Sequence, residues 1–193
     1  VLDIIYMTRF DLEYLGWCII MAAGWMLGES KMRQLLVPNA SVLSTLCFVI
    51  IMLCPLPIVY YIDSMQNGKH QKVFRWMEYV SVLNFAVCCV LHLTGVADFI
   101  ETMPVAHAIL GVTLVLVVAT VCYDLHHGYI HKNRYVVPGL FVALLSVAVE
   151  AVSSYFVISI YGMFMGIGMI VLLFVNLVRT IRNVQNMENS RQR

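Results

Sequence analysis

ETMPVAHAILGVTLVLVVATVCY, residues 101 to 123, holds one carboxylate, Glu101, and then no Asp, Glu, Lys or Arg through its remaining 22 positions. About 20 apolar residues in helical form cross the roughly 30 Å of hydrocarbon in a bilayer, whereas a helix on a water-soluble domain keeps a polar face. The segment therefore predicts a transmembrane helix.

Working outward, apolar runs between polar breaks predict six such helices, over 12–28, 40–62, 74–95, 101–123, 135–157 and 159–180. The composition agrees: 61% of the 193 residues are hydrophobic and 12% charged, against the roughly 25% charged residues of soluble domains, and the mean hydropathy is +0.85. The expected fold class is an all-α membrane protein. A lead-in over 1–11 precedes a bundle of about six helices over 12–180, and an exit helix over 181–193 leads to a cytoplasmic module. VLDIIYMTRF at the start has neither an initiator Met nor a charged run leading to a cleavage site. No signal peptide is visible, and the chain is expected to be a piece of a longer one.

Orientation follows from charge placement. With the first residues inside, Arg9, Lys69, Lys72, Arg75, Lys132, Arg134, Arg179, Arg182, Arg191 and Arg193 all fall on the cytoplasmic side. Only Lys31 and Arg33 fall outside. Ten of twelve basic residues on one side is the positive-inside pattern. It makes GVADFIETMPVAHAIL, residues 95–110, the outer turn between the third and fourth helices.

Several features qualify the helices. Pro55 and Pro57 each remove a backbone donor from the second and predict a kink or an early end there. The sixth carries Gly162, Gly166 and Gly168; GMFMG is a GxxxG match, which serves either a homodimer face or packing within the chain. Beyond Val178 no Pro or Gly stops the helix, and Ile181, Val184 and Met187 keep an apolar helical spacing, as a signalling helix would. The six cysteines, Cys18, Cys47, Cys54, Cys88, Cys89 and Cys122, lie in apolar stretches without a CxxC and read as packing residues.

Polar residues inside the apolar runs are the candidates for function. Ser81, Asn84, Cys88 and His92 share one helix face, which should look into the bundle. Ser146, Glu150 and Ser153 share a stripe on the fifth helix, with Glu150 about two turns below the outer surface. A carboxylate at that depth costs several kcal/mol unless paired or wetted, roughly 2.5 kcal/mol or more at a helix centre. Glu29, His92, Asp98, Glu101, His107 and Glu150 therefore form a candidate outer layer able to hold a cationic, hydrogen-bonding or metal ligand. The plainer alternative is that Asp98 and Glu101, at capping-box spacing, only cap and solvate the turn.

YDLHHGYIHKNR holds Asp124, His126, His127 and His131. His127 and His131 have the spacing of a zinc-chelating pair, but HExxH is absent and Gly128 interrupts them, so a solvated interfacial loop is expected. His92 and His107 as haem ligands would need to face each other, which spacing does not establish. No metal or cofactor is expected. Neither a phosphate loop, a nucleophile elbow nor a catalytic Cys/His pattern occurs, so no catalysis is expected of this chain. Without a basic block interleaved with aromatics, no nucleic-acid partner is expected either.

In order along the chain come YLGWCIIMAAGWMLGES at 14–30, CPLPIVYY at 54–61, GVADFIET at 95–102, and then His107. This series resembles the membrane part of bacterial seven-transmembrane receptors with diverse intracellular signalling modules, particularly those of clostridial-type diguanylate cyclases. The resemblance runs from about residue 11 to 185, and its most specific piece is Gly95, Asp98, Phe99, Glu101, Thr102 and His107. It implies a homodimer in the bacterial inner membrane, surrounded by lipid, with an unknown small ligand on the outer side. It also implies a downstream cytoplasmic output domain, often a GGDEF module making cyclic di-GMP. Six visible crossings depart from seven, so the resemblance implies that the first helix and an outer sensor domain lie upstream. The GGDEF motif itself is absent from these residues. The other class that an intramembrane Glu150 fits is a small-solute or proton-coupled transporter, although no inverted repeat is visible.

Overall fold

The structure is a computed structural model that describes residues 2–30, 39–129, 135–153 and 162–191. Its elements are α1 (Leu2–Glu29), α2 (Ala40–Leu53), α3 (Pro55–Met65), α4 (Gln71–Leu93), α5 (Phe99–His126), α6 (Val137–Ser153) and α7 (Met163–Arg191), with no strand among the described residues. Four stretches, Ser41–Met65, Gln71–Leu93, Phe99–His126 and Met163–Arg182, are long and apolar enough to cross a membrane. The chain is a multi-pass helical membrane protein. In lipid every backbone N–H and C=O must find a partner within the protein, and the helix does this locally.

The end of the bundle bearing the 93–99 turn is termed upper, and the end bearing the 66–70 and 127–129 turns lower. α1 packs on α2, α3 and α7; α5 lies between α4 and α6; α6 and α7 form the most extensive pair. α4 touches only α2, α3 and α5 and points Trp76, Tyr79, Leu83, Val90 and Leu93 outward, as a lipid-facing helix does. Its inward face carries Ser81 and Cys88, both buried. Ser81 Oγ donates to Met77 O at 2.8 Å and Cys88 Sγ to Asn84 Oδ1 at 3.7 Å. Ser81 and Cys88 thus look inward as their spacing predicts, and both bond within their own helix.

The second predicted span is two helices. Cys54 closes α2 and opens α3 while itself helical (φ −54°, ψ −35°), with Pro55 at the first position of α3. A proline is tolerated at a helix start, where its missing N–H would have had no intrahelical partner, so the break falls where the ring removes the donor. The first predicted span, 12–28, is corrected to start near Leu2. Asp11 and Glu13 end the hydrophobic run, but with neither Pro nor Gly between residues 2 and 15 nothing ends the helix. The last helix is one piece over Met163–Arg191, and it joins the described parts of the 159–180 span and of the exit segment. Ile181 is exposed; the side chains of Val184 and Met187 lie outside the described residues.

Small residues set the close approaches. A Cβ at Gly162 would meet Met26 Cγ at 2.7 Å, at Gly166 Met26 Cε at 2.9 Å, and at Gly168 both Ser146 Cβ at 2.6 Å and the Ala143 Cα at 3.1 Å. GMFMG is therefore engaged inside the chain, its first two glycines against α1, and Gly168 against α6. The sequence reading missed a second pair at the same spacing. A Cβ at Gly24 would meet Ile50 Cδ1 at 2.8 Å, and one at Gly28 would collide with Cys47 Sγ. Gly24 and Gly28 thus seat α1 on α2, and G-W-M-L-G was there to be read.

Gly168→Val should lower the thermal stability of the protein in lipid nanodiscs by roughly 1–3 kcal/mol, the usual cost of overpacking. Gly111→Val, whose Cβ would meet nothing within 4 Å, should change it by less than about 0.5 kcal/mol, as surface positions do. Thermal denaturation followed by circular dichroism measures both, and equal effects would remove the close-approach account of α6 on α7.

Candidate functional site

The upper turn is built by local rules. α4 ends at Thr94, and Gly95 takes φ +70°, a left-handed conformation that costs residues other than glycine roughly 1–2 kcal/mol. Gly95 N donates to His92 O at 3.2 Å and Val96 N to Leu91 O at 3.1 Å, the two bonds of a Schellman motif. Asp98 then caps α5 in a capping box with Glu101, whose Oε2 accepts from Asp98 N at 3.3 Å. Phe99 is buried, stacks on His92 with ring centroids 4.3 Å apart and lies against Phe48 at 6.2 Å. Thr102 Oγ1 donates to Phe99 O at 3.0 Å.

Gly95, Asp98, Phe99, Glu101 and Thr102 thus each shape or anchor the turn. The Asp98 side chain is 75% exposed, and His92 Nδ1 lies 3.3 Å from its Oδ1, an ion pair whenever the ring is protonated. The capping alternative holds for Asp98 and Glu101. His107 sits half-buried on α5, six residues past Glu101. Glu29 is the last residue of α1, and its side chain lies outside the described residues.

Glu150 stands apart from that group. It is 8% exposed on α6, and its Oε1 accepts from Gly162 N at 2.6 Å. Gly162 has φ +74° and its carbonyl accepts from Gly166 N at 2.9 Å, so it begins the helix that continues as α7. A carboxylate at a helix N-terminus meets the positive end of the helix dipole and an N–H that no intrahelical carbonyl can take. The bond is short, as charge-assisted bonds are. Glu150 Oε2 is buried and has no hydrogen-bond partner among the described residues.

Beside it lies a cavity with about 40 Å³ of space for the centre of a water-sized sphere, walled by α1, α2, α3, α5, α6 and α7. Its wall is sulfur-rich and apolar, with Cys18, Cys54, Met21, Met165, Met169 and Trp25, and among the described residues Glu150 is the only carboxylate in it. Leu110 of α5 reaches this wall; His92, Asp98, Glu101 and His107 do not. The predicted outer layer is therefore two sites: a turn held by His92, Asp98, Phe99 and Glu101, and a cavity holding Glu150. The sequence stripe placed Glu150 correctly but had no means of placing it beside Trp25 or Cys54, which lie on other helices.

The lower end carries a cluster that the sequence reading took for a solvated loop. Asp124 is 1% exposed; Lys69 Nζ lies 2.9 Å and His70 Nε2 3.2 Å from its Oδ1. Lys69 also sits 3.1 Å from the centroid of the Tyr129 ring, a cation–π contact. His126 and His127 are exposed, and His131 lies outside the described residues. Among the described residues no three His, Cys, Asp or Glu side chains gather as a metal site would require. Tyr61 and Asn176 bond mutually, Tyr61 Oη to Asn176 Oδ1 at 3.1 Å and Asn176 Nδ2 to Tyr61 Oη at 2.8 Å, both residues being buried. Asn176 Nδ2 also donates to Leu172 O at 2.9 Å.

No protein-family model, no curated protein and no solved structure matches this chain.

Asp124→Ala should destabilise the protein by about 1.5–3 kcal/mol, the range for hydrogen bonds to charged groups; the Lys69 side chain is 36% exposed and regains water, which pulls the figure toward the lower limit. Asp98→Ala, a cap loss in a wet turn, should cost about 1 kcal/mol. Thermal unfolding in nanodiscs ranks the two, and the reverse order would contradict the burial of Asp124.

Proposed function

We propose that this chain is the membrane region of a sensory receptor, in which a small ligand in the Glu150 cavity is reported through α7 to a cytoplasmic output module. One observation carries the reading. The hydrogen bond from Gly162 N to Glu150 Oε1 ties the cavity wall to the start of a helix that runs unbroken to residue 191. A ligand that engages Oε2 changes the charge and orientation of the carboxylate that holds this helix end.

Fourteen residues further, about 21 Å along a helix, Asn176 is pinned to Tyr61. Held at that point, α7 acts as a lever: a small movement at Gly162 reappears, reversed, beyond residue 180. Such transmission needs two packings close in free energy, the ligand favouring one by its differential affinity. The resemblance to receptors of clostridial-type diguanylate cyclases makes a paired GGDEF module the proposed recipient, with the basic lower end in the cytoplasm of a bacterium. A proton-coupled carrier would need further ionisable groups along a path from Glu150, and the remaining walls of its cavity are apolar or sulfur-bearing.

In cells making the whole protein, Glu150→Gln and Asn176→Leu should each change cyclic di-GMP at least threefold from the level given by the parent protein at equal expression. Glu101→Gln, which keeps the capping box, should leave it unchanged. Wild-type output from both Glu150→Gln and Asn176→Leu would reject the lever.

A further inference from the structure

Resting on the reading of the Glu150 cavity as the ligand pocket, we infer that its ligand is a compact lipophilic amine presenting a single N–H, that is, a protonated tertiary amine with small apolar substituents. Three features of the cavity define this class.

The first is charge. Glu150 Oε1 is committed to the N–H that begins α7, and among the described residues no Lys, Arg or His lines the cavity. A buried charge without a counter-charge is costly, so a cation gains more here than a neutral molecule of the same shape.

The second is the count of acceptors. Glu150 Oε2 is the one buried carboxylate oxygen left unpartnered there. A primary ammonium brings three donors and would leave two facing thioethers and hydrocarbon. A tertiary ammonium brings one.

The third is the wall. Trp25 lines the cavity, and an indole attracts a cation set over its ring; Met21, Met165 and Met169 also line it, as flexible, polarisable side chains that reshape around small apolar groups. Space for a water centre of about 40 Å³ would hold roughly three waters by volume, but each needs two to four polar partners. One carboxylate oxygen does not provide them, so an apolar body around a single polar atom fits better than a water cluster.

The test uses the whole protein in lipid nanodiscs with Trp17→Phe and Trp76→Phe, which leaves Trp25 as the reporting indole of this chain's three tryptophans. Three probes of equal heavy-atom count are titrated against its fluorescence: N-methylpyrrolidine, protonated at neutral pH with one N–H; cyclopentylamine, with three; and methylcyclopentane, with none. N-methylpyrrolidine is expected to bind saturably and at least tenfold more tightly than either of the others, and at least tenfold more weakly to Glu150→Gln. Because Glu150→Gln also disturbs the start of α7, Ala151→Leu serves as the second variant: it narrows the cavity, keeps the carboxylate, and should weaken binding at least tenfold. Methylcyclopentane binding as tightly as N-methylpyrrolidine overturns the amine class and leaves the cavity as a ligand pocket. Cyclopentylamine binding as tightly overturns the single-donor argument. Absence of saturable binding by all three overturns the inference altogether, and cyclic di-GMP output of Glu150→Gln then judges the receptor reading separately.

Discussion

Surrounded by lipid, helices gain little from hiding apolar side chains, since lipid tails are as apolar as leucine; they are held together by close backbone approach and by a few hydrogen bonds between helices. Here that constraint falls on α7. Gly162 and Gly166 admit Met26 of α1, Gly168 admits Ser146 of α6, and the ends of this contact are fastened by Glu150 to Gly162 and by Tyr61 to Asn176. The position of α1, and through Gly24 and Gly28 that of α2, follows from how closely α7 can be approached.

The same constraint explains where polarity is tolerated. Most hydroxyls inside the bundle donate back to their own helix, as Ser81, Thr113 and Ser146 do, which is the cheapest way to carry a polar atom in hydrocarbon. Groups that reach across helices include Glu150, Tyr61, Asn176, and the Lys69–His70–Asp124 cluster. Each bridges elements far apart in sequence, and each sits where a helix begins, ends or is crossed. Such contacts have discrete alternatives, whereas packed hydrocarbon can shift more gradually.

The upper turn shows how a specific motif can have a structural meaning. Gly95 supplies the left-handed residue, Asp98 and Glu101 the cap, and Phe99 the stack on His92. Their spacing is dictated by ending one helix and starting the next within a few residues, which needs no ligand. Glu150 belongs to no such rule; it caps a helix that begins twelve residues further along the chain. Depth, not motif membership, separates the residue that needs explanation from those that do not.

The existence of membrane-crossing helices, the break at Pro55, the inward face of α4 and the cap at Asp98 were all legible in the residues, because each depends on hydropathy or on neighbours within about four positions. The start of α1 was not, since charge ends a hydrophobic run without ending a helix. Nor were the burial of Asp124 and the separation of Glu150 from His92 and Asp98. Those depend on which helix faces which, and in a chain whose helices are apolar on nearly every side, periodicity does not encode the rotation of one helix against another. Only the packed bundle decides it, through the few glycines that permit contact and the few polar atoms that require it.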